Sequence, residues 1–177
     1  MGVPLSDSGA PRGGGAGDMF LSVNGARNGQ ITGEAHDEKH KNEVEVLAWS
    51  WGMQGKQSLG GGGATGKATL RELKIVKRVD KASTALMKAL RTNEEIKEAI
   101  LTVRKVGKNP LEYLTIKIEG GRIIALDIDT GESAANPVLI ERVSFSFNKI
   151  SIVYTPQGPD GNPLGKTVFE DEWTPAG

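Results

Sequence analysis

Cysteine is absent from the 177-residue chain. Disulfides, thiolate metal sites and cysteine nucleophiles are therefore excluded, and nothing in the chain calls for folding in an oxidising compartment. Aromatic residues are sparse, with three Trp, two Tyr and four Phe. They do not interleave with a basic run, so a stacking platform for single-stranded nucleic acid is not expected. Neither sign of charge dominates: Lys plus Arg number 22 and Asp plus Glu number 22. Neutralising a phosphate backbone needs a Lys/Arg excess on the contacting face, so this balance argues against a dedicated nucleic-acid binder. Near-zero net charge also leaves little repulsion between copies. No stretch approaches 18 apolar residues, so no membrane-spanning helix is expected. The first residues lack a basic segment followed by an apolar run, so no signal peptide is expected.

What the chain does have is short alternating strands between turn signals. Residues 1–17 are dominated by Gly, Ala, Pro and Ser. They hold too little apolar surface to offset ordering entropy, which predicts a flexible tail before one domain spanning 18–177. Met19 to Val23 reads as a strand closed by Asn24-Gly25 and Asn28-Gly29. Glu43 to Val46 alternates, and then the phase flips to Leu47, Trp49 and Trp51. With a period of two, that flip predicts a β-bulge near Val46–Leu47 or burial of both faces. Residues 53–66 form a polar, Gly-rich loop. A strand follows from about Lys67 to Val79, with Leu73, Ile75 and Val79 on one face and Glu72, Lys74 and Arg78 on the other.

One helix is predicted, with Ser83 as N-cap, Asp80 just before it, and Leu86, Met87 and Leu90 as its apolar stripe. Thr92-Asn93 ends it, and Glu94 to Glu98 is expected to add a helical turn. Strands at Ile100–Val106 and Leu111–Glu119 flank the hairpin signal Gly107 to Pro110. Arg122–Ile128 reads as another strand. Val138–Tyr154 should bend near Asn148–Lys149, where its apolar phase changes. Lys166–Trp173 is the last strand. The sum is a mainly β fold, an antiparallel barrel or two-sheet sandwich of seven or eight strands with one flanking helix.

Several segments resemble catalytic or binding motifs only in part. Gly61 to Lys67 fits the front of a phosphate-binding loop, but Ala68 stands where a magnesium-binding hydroxyl belongs, and the segment leads into a strand instead of a helix. His36 and His40 lie four apart, but their flanks look extended, and further ligands would have to be carboxylates. A metal-dependent hydrolase using His36 and His40 is the enzymatic alternative. Asp127, Asp129 and Glu132 lack the spaced oxygen ligands of a calcium loop. The sequence thus points to no catalytic residue, no metal ligand set and no cofactor. Trp49 and Trp51 share a strand face, where core or subunit interface is the ordinary role for paired tryptophans.

The run Glu43-Val44-Glu45-Val46-Leu47-Ala48-Trp49-Ser50-Trp51-Gly52 resembles the haemolysin-coregulated protein family, the tube protein of type VI secretion. The same stretch of that family matches Ile31 to Glu34 and Asp37 to His40. Further similarity runs through the Gly-rich loop, Val79 to Ala89, Leu101 to Gly107, Leu111 to Leu114, Val143 to Phe147 and Val153-Tyr154. The resemblance covers residues 18 to about 173. It implies a fold similar to phage tail-tube proteins and a non-enzymatic role. In that role, six-subunit rings stack into a tube inside a contractile sheath, tipped by a spike protein of the valine-glycine repeat type, with effector proteins in the lumen. It implies assembly in the bacterial cytoplasm and then signal-peptide-independent release from the cell. The loop residues Gln54, Lys56, Gln57, Ser58, Leu59, Gly60, Gly61, Gly62 and Gly63 are expected to contact the next ring, and Trp49, Trp51 and His40 to serve structural or interface roles. A phage-type tail-tube protein is the alternative with nearly the same physics.

Overall fold

Alternation of apolar and polar residues becomes strand along most of the chain. The computed structural model describes residues 18–56, 66–107, 110–131 and 138–173. Eight strands of six residues or more occur: β1 (Asp18–Gly25), β3 (Val44–Ser50), β6 (Leu73–Arg78), β7 (Glu95–Arg104), β8 (Glu112–Asp129), β9 (Ile140–Phe145), β10 (Lys149–Tyr154) and β11 (Thr167–Glu172). Three short ones accompany them: β2 (Gly29–Ile31), β4 (Met53–Gln54) and β5 (Thr69–Leu70). The single helix among the described residues is α1 (Ser83–Arg91). The order β8-β7-β1-β3-β6-β9 closes on itself through β9 and β8, making an antiparallel barrel, and β10 and β11 extend it from the first half of β8.

The phase flip read from the sequence is a β-bulge: the β3–β6 register slips between Val46 and Ala48. The bend expected near Asn148 is a full interruption, with β9 ending at Phe145 and β10 starting at Lys149. Leu111–Glu119 and Arg122–Ile128, expected as separate strands, are one strand of 18 residues. Gly120-Gly121 bends that strand without ending it. Gly120 has φ +66, and a Cβ on Gly121 would lie 1.7 Å from the Ser146 carbonyl oxygen. Only a residue without a side chain lets the two backbones approach that closely. The bend carries β8 from a sheet shared with β7 and β10 into one shared with β9.

The core sits between these two sheets. Leu21, Val23, Leu73, Ile75, Leu101, Ile116, Ile118, Val143, Phe145 and Ile150 are all buried, and Ala82, Leu86 and Ala89 pack the helix against them. Each fully buried Leu, Ile or Phe contributes about 1.5–3 kcal/mol of transfer free energy.

Two expectations about the helix are corrected. Ser83 is its first residue, not its cap, and its hydroxyl points into a buried cluster. The Asp80 side chain accepts from the Ala82 N–H instead, at 2.9 Å. Glu94 to Glu98 adds no helical turn. Asn93 takes φ +53, and the chain enters β7 at Glu95. Here strand pairing with β1 and β8 outweighs the helical propensity of Glu, Lys and Ala.

Candidate assembly surfaces

Strand register leaves one sheet unfinished on both sides. β3, β6, β9 and the second half of β8 form a four-stranded antiparallel array. β1 reaches β3 only at Val44 and Glu45, so Ala48 to Ser50 have β6 on one side and, among the described residues, no strand on the other. At the far end, β7 stops opposite Arg122. Ile123 to Asp129 then have β9 on one side and no described strand on the other. Unpaired N–H and C=O groups of this kind are templates for pairing with another chain. The outward face carries small and charged residues: Ala48, Ser50, Lys74, Val76, Asp127, Arg142 and Ser144. They border a shallow groove of about 390 Å³. Arg142 pairs with Asp129 on this face.

Trp49 and Trp51 are half-buried and pack on the edge of the core. The Trp51 ring lies 6.5 Å from that of Phe169 on β11, and among the described residues its indole N–H has no acceptor. Beyond Trp51, Met53 and Gln54 pair with Leu70 and Thr69 as the short strands β4 and β5. Gln54 and Lys56 are exposed. Gln57, Ser58, Leu59, Gly60, Gly61, Gly62 and Gly63 lie outside the described residues.

His36 and His40 do not share a site. His36 is exposed, whereas His40 is 7% exposed and stacks on Phe20 with ring centroids 4.4 Å apart. Its Nδ1 lies 2.5 Å from Glu43 and its Nε2 lies 2.6 Å from Glu112. Both ring nitrogens are thus occupied within the chain. Next to it, Arg104 donates to Asp37 at 2.6 Å and to Asp18 at 2.8 Å. The Arg104 hydrogen bond holds the Asp37 carboxyl down at about 2, against the opposing effect of burial. These contacts clamp the loop before β3 onto β1, β7 and β8. Gly33 makes the fit close, since a Cβ there would lie 2.4 Å from the Glu43 carbonyl oxygen. Among the described residues, no three His, Asp or Glu side chains converge as a metal site.

Two buried carboxylates were not singled out from the sequence. Glu94 is 1% exposed and accepts from the Arg27 and Asn28 backbone N–H groups at 2.7 and 2.8 Å and from the Asn28 side chain at 3.0 Å. Burial pushes its pKa up, but these hydrogen bonds outweigh it and the net shift is downward. It fixes the β1–β2 turn from the start of β7. Glu141 is fully buried with Lys77, and parity could have found both. Lys77 shares its phase with Leu73 and Ile75, and Glu141 shares its phase with Val143 and Phe145.

A closed antiparallel β-barrel whose four-stranded sheet keeps unpaired edges defines a class of protein open to strand pairing with another chain. Comparison with known proteins specifies it. Residues 20–154 match the family described as "Type VI secretion system effector, Hcp", and the chain belongs to that family. It is 37% identical over 154 residues to protein hcp1 of Pseudomonas aeruginosa, spanning 85% of this chain and 91% of that one. The crystal structure of Hcp1 from Salmonella typhimurium superposes with a TM-score of 0.70 at 29% identity, covering 90% of this chain and 96% of that one. A type VI secretion system effector from Yersinia pestis gives 0.67 at 29% identity, covering 88% and 99%. The chain is a structural, secreted component of the type VI secretion tube and not an enzyme.

Proposed function

We propose that six copies of this chain close into a ring, that rings stack into the inner tube, and that a contractile sheath expels the tube from the cell. The observation carrying this reading is the pair of unfinished edges on the four-stranded sheet. Strand direction alternates across the array, so β3 of one copy and the second half of β8 of the next run antiparallel when placed side by side. An even number of strands per subunit lets that alternation continue without a mismatch around a closed circle. The two edges differ, so the contact is heterologous and generates a ring instead of a two-fold dimer. The outward face of this sheet then lines the lumen, where small and balanced polar side chains leave room for effector proteins. The Gly-rich loop from Gln54 to Gly63 reaches the next ring, and a spike of the valine-glycine repeat type caps the tube.

The test uses the absence of native cysteine. A chain carrying Ser50→Cys and Asp127→Cys should give, on mild oxidation, a ladder of covalent multimers ending at about six times 18.8 kDa. Rings with a central hole should be seen by electron microscopy. A chain that remains monomeric at high concentration, with no covalent multimers, sinks the reading.

A further inference from the structure

Charge balances over the whole chain but segregates within it. From Lys81 to Asn93 there is no acidic residue. Lys88 and Arg91 are exposed on the side of α1 opposite the buried Leu86 and Ala89, and Lys81, before the helix, is exposed with its backbone N–H given to Glu34. β11 is the reverse case. Glu170, Asp171 and Glu172 follow one another, and no basic residue occurs from Thr167 to Trp173. Glu170 and Glu172 are exposed and Asp171 is half-buried. Among the described residues, none of these six side chains takes part in an ion pair. β11 has β10 on one side and no described strand on the other.

We propose that the basic face of α1 on one copy docks against the acidic β11 of a second copy. The two surfaces are opposite in sign and different in shape, so the contact is heterologous and propagates from copy to copy. Each exposed pair is weak alone, which is why several charges on each side are needed. Their combined field speeds encounter, rejects the wrong orientation and fades as salt screens it. This contact rests on the self-association part of the reading above. It is separate from the open edges of the four-stranded sheet and does not depend on the number six.

The experiment uses two full-length variants, Lys88→Glu with Arg91→Glu, and Glu170→Lys with Glu172→Lys. Unchanged circular dichroism and melting show that each still folds. Each alone should associate about tenfold or more weakly than the parent in sedimentation at low salt. An equimolar mixture of the two should regain the parental mass, because each then offers the charge that the other lacks. Variants that assemble like the parent, or a mixture that fails to recover, overturn the contact while leaving the ring intact. A parent chain that is itself monomeric overturns both.

Discussion

Lys77 and Glu141 lie opposite each other on β6 and β9, each with a fully buried side chain, Nζ to Oε2 at 3.0 Å. Ser83 at the start of α1 donates to the same oxygen at 2.5 Å, and Asp80 approaches Lys77 at 2.9 Å. The other Glu141 oxygen is buried and has no partner among the described residues. The cluster ties the two central strands of the unfinished sheet to the helix. Removing Lys77 should leave Glu141 buried with no cation beside it, at a cost of about 3–5 kcal/mol, whereas removing Glu141 leaves Lys77 paired with Asp80. Lys77→Met should therefore lower the urea midpoint sharply, and Glu141→Leu should lower it less. The double variant should recover most of that loss, because two apolar chains of similar volume need no compensation. Equal destabilisation of the double and single variants would show that the ion pair itself supplies the stability.

Stability should depend on acid through Asp37. Its folded-state pKa of about 2 lies below the unfolded value of about 3.9. A depressed carboxylate pKa contributes stability that is present above the unfolded value and is lost as pH falls through the folded one. Glu94, shifted the same way, adds to the trend. Melting temperature should thus fall as pH drops from about 4 toward 2. Asp37→Asn should be less stable at neutral pH and should show a flatter profile in that window. A parallel profile for the variant would contradict the Arg104 clamp.

Gly121 should tolerate no side chain. A Cβ there meets the Ser146 carbonyl oxygen at 1.7 Å, and both are backbone-bound, so the two strands must part. Gly121→Ala should cost about 1–3 kcal/mol or more. Gly29→Ala meets nothing within 4 Å and bears only the strain of φ +65, so it should cost about 1 kcal/mol. Chemical denaturation of the two variants ranks them, and equal costs would refute the role of the close approach.

Deleting Leu59 to Gly63 should leave rings and prevent stacking, because the deletion falls between β4 and β5 and removes none of their paired residues. Negative-stain microscopy decides this, and tubes of ordinary length from the shortened chain would end the idea.

Period-two alternation placed β1, β3 and β11 closely, but it read the start of β7 as helix, split β8 in two and began the β6 strand at Lys67 instead of Leu73; the slip at Val46–Leu47 was legible because a bulge must reverse the phase of Trp49 and Trp51. Composition alone removed disulfide and thiolate chemistry. Lys77 and Glu141 show where local reading stops. Each sits in an apolar phase, but nothing nearby in sequence says that a charge 64 positions away will neutralise it. His40 is a second case, since its partner Glu112 lies 72 positions on and turns a suspected ligand into a clamp. Glu94 is a third, since local helix preference ran against strand pairing known only from the closed barrel. The sequence by itself determined most strand segments and the bulge, because those depend on neighbours one to four residues apart. Only the tertiary structure decided which charges are buried and which sheet edges stay open, because both depend on register between strands far apart along the chain.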